Sequence, residues 1–234
     1  MARHQTHRGL APQDERLFAA RQLPSLRAAA TDLCWLLDRG YAPRSAVELV
    51  GNRHNLTSRQ RMAVSRHACA REDVQRRQKL RVEPNRLQGN ELTLLESALA
   101  RGIVLLCRDG CCRDIAGIHR GYRTVNETVP ALRLVGETAA ALGVSRCRWW
   151  LDQPVSNSGR LKTLMLEAAA NAGWNMDVEL VFSPDHVLSH TGEIIATSDG
   201  IVLDHCQRWV NLARLIIADR LPQTRLLDLA SRED

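Results

Sequence analysis

From about residue 89 onward, short apolar runs alternate with amphipathic helical stretches, and few folds can bury both kinds of segment. Parallel strands need a crossover, usually a helix, so the alternation predicts an α/β domain with a mostly parallel sheet flanked by helices. The candidate strands are residues 103–107, 146–151, 177–182 and 193–198. One helix is expected to begin at Pro130, with Leu134, Val135, Thr138 and Leu142 on one face, and to stop at Gly143. A second begins at Ser158, whose hydroxyl is the expected N-cap, carries Leu161, Leu164, Met165, Ala168 and Ala172, and stops at Gly173. A last helix, from about 201 to 219, would lay Trp209, Leu212, Ala213 and Ile216 on the sheet.

The chain ahead of that domain differs in both pattern and charge. Leu26, Ala30, Leu33 and Leu37 recur at helical spacing up to Gly40. Pro43 then opens a second helix with Ala46, Leu49 and Val50 on one face, ended by Gly51. Thr57 opens a third, with Gln60 three residues later as in a capping box. Residues 1–88 carry 17 Lys and Arg against 8 Asp and Glu, whereas residues 89–234 carry 15 against 18. A basic helical unit joined to a mildly acidic domain suits contact with a polyanion, because clustered arginines neutralise phosphates and release their counterions. Arg53, Arg59 and Arg66 are expected to make that contact, with RNA favoured over DNA. A helix-turn-helix and a plain helical bundle both fit, although the turn over 51–56 exceeds the usual three or four residues. Segment 71–86 is charged, lacks an apolar face and contains Pro84, so it reads as a helix tail and linker. The expected organisation is a flexible basic tail over 1–24, a helical unit over 25–82, a linker over 83–88, the α/β domain over 89–220 and a C-terminal tail over 221–234.

No apolar run approaches the roughly 20 residues that cross a bilayer, and residues 1–10 lack the apolar stretch of a signal peptide. A cytoplasmic protein without membrane contact is therefore expected, with its seven scattered cysteines reduced. Cys107, Cys111 and Cys112 do not have the spacing of a structural zinc site.

Ligands of open α/β sheets bind beyond the carboxyl ends of the strands. Asp152 follows one candidate strand, Asp185 lies just past another and Asp199 follows a third; Asp114 lies within reach of the same end. Carboxylates gathered there repel one another unless a hard cation sits among them, so Asp152, Asp185, Asp199 and Asp114 are candidate ligands for Mg²⁺ or Mn²⁺, with Asp152 and Asp199 the candidate catalytic pair. Each could equally cap the helix or turn that follows it. In the loop 152–160, Ser156, Asn157, Ser158 and Arg160 gather small polar groups and a cation at a helix start, where an anion such as phosphate is favoured.

Several strings resemble a family of bacterial and archaeal proteins called domain of unknown function 434. They are Asp32-Leu33-Cys34-Trp35-Leu36-Leu37-Asp38-Arg39-Gly40-Tyr41, Leu49-Val50-Gly51-Asn52-Arg53, the loop 152–160, and Thr197-Ser198-Asp199 with Leu203-Asp204. This resemblance runs from about Leu26 to Leu215. The C-terminal part is in turn similar to PIN-like and NYN-like nuclease folds, in which a strand ending in Asp-Gly-x-Asn and a later Thr-Ser-Asp supply metal-binding acids. That likeness implies a metal-dependent nuclease acting on RNA or another phosphodiester, or a degenerate relative that holds nucleic acid without cutting it. The chain departs from the pattern where it passes from Leu87-Gln88-Gly89 directly to Asn90-Glu91, so the PIN-like sheet is expected to lack its first strand, with Glu96 and Asp114 in partial compensation.

Overall fold

A computed structural model describes residues 8–83, 86–89, 91–116, 124–155 and 157–230. In chain order the strands are β1 (Leu87–Gly89), β2 (Val104–Leu106), β3 (Cys112–Asp114), β4 (Cys147–Asp152), β5 (Met176–Val181), β6 (Ile195–Ala196), β7 (Trp209–Val210) and β8 (Leu226–Asp228). The helices are α1 (Asp14–Leu17), α2 (Leu23–Leu37), α3 (Pro43–Arg53), α4 (Ser58–His67), α5 (Arg71–Leu80), α6 (Leu92–Leu99), α7 (Thr128–Ala141), α8 (Ser158–Ala172), α9 (Pro184–His190), α10 (Gly200–His205) and α11 (Leu212–Arg220).

The main sheet has five strands in the order β5-β4-β1-β6-β7, and every pairing in it is parallel. Helices cover it, as an all-parallel sheet requires. Leu95 of α6, Leu132 of α7, Met165 of α8 and Ile216 of α11 all enter one core with Trp149 of β4. Three expected elements are confirmed: α7 ends at Gly143 (φ 69°), α8 at Gly173 (φ 70°), and α4 starts from a full Thr57–Gln60 capping box.

The first strand is present, against the expectation that it is lacking. β1 is the central strand, pairing with β4 on one side and β6 on the other, and residues 87–88 are not linker. At three residues, buried throughout, it carries no alternation that a sequence could display. Gly89 is required there, since a Cβ would sit 2.4 Å from the Ala196 carbonyl oxygen of β6.

The remaining strands, β3-β2-β8, form a second sheet, so residues 104–106 do not join the main one. The expected C-terminal tail supplies β8, and the expected final helix divides into α10, β7 and α11, with Trp209 in the strand. The basic helices pack on this second sheet: Leu26, Leu33, Ala63 and Val64 share a core with Ile103, Leu105, Ile115 and Leu227. Of the expected N-terminal tail, residues 1–7 lie outside the described residues. Asp14 and Phe18 are buried, and Arg8 is buried in a salt bridge with Glu96. Residues 71–80, expected as a helix tail, form the separate helix α5.

Candidate functional site

The chain order of the main sheet fixes where a ligand can enter. From β1 the chain lays down β4 and β5 on one side and then crosses to β6 and β7 on the other. The strand order therefore reverses between β1 and β6, and ligands of open α/β sheets sit beyond the carboxyl ends of the strands at such a point. A cleft of about 510 Å³ opens there. Glu91, just past β1, and Thr197, Ser198 and Asp199, just past β6, form one wall. Arg113 and Asp114 of β3 line it as well, and Ser65 and Arg66 of α4 face it from the helical unit.

The positive charges in the cleft are held by the protein itself. Arg113 donates to the Ser198 carbonyl at 2.6 Å, the Arg66 carbonyl at 3.2 Å and both oxygens of Asp109. Arg77 of α5 donates to Asp109 and Asp204, and its own carbonyl accepts the Trp209 indole N–H at 2.6 Å. Burial alone would raise the Asp109 carboxyl, but the Arg113 and Arg77 guanidiniums overcome it and hold the group below its ordinary value. Arg66 donates to the Asp114 carbonyl and lies 3.5 Å from its carboxylate. Burial pushes Asp114 up, against the opposing pull of Arg66.

Glu91 differs from these acids. It is 7% exposed. Oε2 accepts the Ala213 N–H at 3.2 Å, while Oε1 is buried without a hydrogen-bond partner. Burial pushes its carboxyl up to about 7; the Ala213 N–H, the Ser198 hydroxyl and Arg113 pull the other way.

Asp199 is exposed and caps α10, its Oδ1 accepting the Ile201 N–H at 2.7 Å and the Val202 N–H at 3.4 Å. Asp152 ends β4, at the same end of the sheet as Asp199, but it lines a separate pocket of about 340 Å³ together with Asp185, Pro184, Trp150 and Ser158. Thr93 borders both spaces. In the loop 152–160, Ser156 lies outside the described residues. The N-cap of α8 is Asn157 in a left-handed conformation (φ 70°), not Ser158. The Ser158 hydroxyl is buried and donates to the Asp152 and Val155 carbonyls at 2.6 and 2.7 Å, so it locks the turn instead of facing an anion. Arg160 is exposed. Among the expected nucleic-acid contacts, Arg59 donates to both carboxylate oxygens of buried Asp14 and to the Ile115 carbonyl. Arg53 is largely exposed, 3.3 Å from Asp32.

Residues 89–215, more than half of the chain, match a domain of unknown function, DUF5616. The chain belongs to that family. Residues 25–79 match a second one, the protein of unknown function DUF434. The likeness to DUF434 therefore ends with α5; the strings at 152–160 and 197–199 fall within the DUF5616 match. A relative from Methanocaldococcus jannaschii, the uncharacterized protein MJ0935, is 24% identical over 187 residues, covering 76% of this chain and 89% of its own length. No solved structure matches. No helix among the described residues is long and apolar enough to cross a membrane.

Glu91 and Asp199, on the same wall of the cleft, both lie within the DUF5616 match. The PIN-like metal set does not fit these residues. Gln88 and Gly89 stand at the end of the central strand where that pattern has Asp-Gly, and the Gln88 amide oxygen is occupied by the Trp150 indole N–H at 2.9 Å. Asp152 and Asp185 line one pocket while Asp114 and Asp199 line the other, and among the described residues no group of three or more His, Cys, Asp or Glu could hold a metal ion. Sequence reasoning missed Glu91 and Arg77, and read Asp109 and Arg113 only as part of a polar cluster with a turn after residue 107. The available signal for Glu91 was only an acid two residues beyond Gly89, hidden because 83–88 reads as a linker.

Proposed function

We propose that this protein is a divergent nuclease-type domain of the cytoplasm that engages RNA, or another phosphodiester, in the cleft between β1, β6 and α4. One observation carries the reading. A sheet with its strand order reversed between β1 and β6 opens a large polar cleft there, lined by acids from three segments and bordered by the arginine-bearing helical unit. The net positive charge of residues 1–88 supports a polyanionic ligand. In this reading Arg66, part-exposed beside the cleft, contacts the phosphate, and the acids that line the cleft hold or exchange protons.

A second reading, binding without cleavage, is favoured by Gln88, which puts a neutral amide where the PIN-like pattern needs an acid. Fluorescence anisotropy with single-stranded and structured RNA, run beside a cleavage assay in Mg²⁺, Mn²⁺ and EDTA, separates the two. The first reading expects binding that weakens steeply with salt, and slow cleavage. Binding with no cleavage in any buffer establishes the second, and absence of binding at low salt removes both.

A further inference from the structure

Trp35 of α2 is 52% exposed, a large aromatic side chain left in water by the core of the helical unit. The Arg39 guanidinium, one turn further on, lies 3.6 Å from its ring centroid, and Arg39 also donates to the Trp35 carbonyl at 3.1 Å. That contact covers one of the two ring faces. Beside Trp35 a cavity of about 310 Å³ runs along the side of α2 that carries Thr31, Cys34 and Asp38. Arg71, at the start of α5, and Arg108 line it as well, whereas Arg39 does not, so the cavity meets Trp35 away from the covered face. The two lining arginines differ. Arg108 donates to both oxygens of Asp38, at 2.6 and 2.9 Å, and to the Cys69 carbonyl at 2.8 Å. The Arg71 side chain is 73% exposed and lies 3.9 Å from Asp38, beyond hydrogen-bond reach.

We propose that this cavity receives an unpaired base of single-stranded RNA, stacked on Trp35, with the adjoining phosphate held by Arg71. This rests on the phosphodiester reading above and deepens it, because it makes the ligand a strand whose bases are free. The chemistry selects among occupants. A cation is disfavoured, since the Trp35 ring already holds Arg39 and the two lining arginines repel a third positive charge. A neutral planar ring gains by stacking on an aromatic face, and a phosphate is drawn to an unspent guanidinium. The volume, at the small end of ligand pockets, suits one ring system. Position agrees. Arg66, Ala68 and Cys69 border the cleft while His67 and Arg71 border the cavity. The two residues of chain from Cys69 to Arg71 span at most about 7 Å, so a strand with its phosphates in the cleft has a base within reach of Trp35. Every base has a π-face, so the site tolerates sequence.

The test compares Kd values, by fluorescence anisotropy at one salt concentration, for a short single-stranded RNA and for an abasic strand of the same length and charge. The wild-type protein is expected to bind the RNA roughly ten- to a hundredfold more tightly, the range of one stacked base. Trp35→Ala is expected to lose that margin and to leave the Kd of the abasic strand unchanged, while Trp35→Phe keeps most of it. Since Trp35 is exposed, neither variant is expected to shift Tm. RNA is also expected to quench tryptophan fluorescence in the wild type and to quench it less in Trp35→Phe, a readout that holds even if Trp35→Ala is unstable. Equal wild-type Kd values for the two strands, or a margin that survives Trp35→Ala, overturn the stacking site; binding of the abasic strand then leaves the phosphodiester reading intact. Quenching that is identical in Trp35→Phe overturns the site as well. Binding of neither strand overturns both.

Discussion

Two buried acids, Asp109 and Glu91, meet the cost of burial in opposite ways. Asp109 is 7% exposed and ionised, held by Arg77, Arg113 and the Cys111 N–H. Removing it would leave two buried guanidiniums without their shared counter-charge, so Asp109→Ala is expected to cost about 3 to 5 kcal/mol in urea unfolding. Because its folded value lies below the unfolded one, its stabilisation is present above the unfolded value near 4 and fades as pH falls through the folded value. Glu91 runs the other way. Its ordinary value is 4.5 and its folded value about 7, so between them the folded state binds the extra proton and stability declines as pH rises. Glu91→Gln removes that dependence. It is expected to be close to neutral at pH 5 and more stable than wild type at pH 8, by an amount on the order of 3 kcal/mol. Thermal melts at the two pH values check it, and equal Tm shifts at both would contradict it.

Short elements carry most of the surprises, and the reason is geometric. A helix of 14 or 15 residues such as α7 or α8 repeats its apolar face several times and ends at a glycine with positive φ, so it is legible locally. β1, β7 and β8 have three, two and three residues; what makes them strands is the neighbour on either side. α5 escapes apolar periodicity for another reason: its one buried residue, Arg77, docks through Asp109 and Asp204, not through an oily face. Gly89→Ala is expected to force β1 away from β6, with a loss of about 1 to 3 kcal/mol or more and an effect on the cleft above it. Thr57→Ala is a smaller matter, since it removes only the cap of α4; about 1 kcal/mol is expected from denaturant midpoints.

At the scale of the whole molecule, the helical unit and the second sheet share one core, so the boundary between the two family matches is not a boundary between independent cores. A fragment spanning 25–79 loses Ile103, Leu105, Ile115 and Leu227 as packing partners and is expected to show little stable helix by circular dichroism; a cooperative melt of that fragment would contradict the shared core. The same sharing complicates charge reversal on α4. Arg59→Glu would face buried Asp14, so a loss of RNA binding there must be read beside a melt, while Arg53→Glu tests the exposed cation. The sequence by itself determined the α/β class, the parallel sheet, the long helices, the capping box, and the placement of Asp152 and Asp199 at one end of the sheet, because period, caps and handed crossovers are local properties. Only the tertiary structure decided that Leu87–Gly89 is the central strand, that Asp152 and Asp199 line different spaces, and that Arg59 and Ser158 are committed to internal bonds. It also decided that Glu91 sits buried with one oxygen unpartnered at the reversal of strand order. Those facts depend on which distant segments meet, and a carboxylate's partners, unlike a helix's period, are written nowhere near it in the chain.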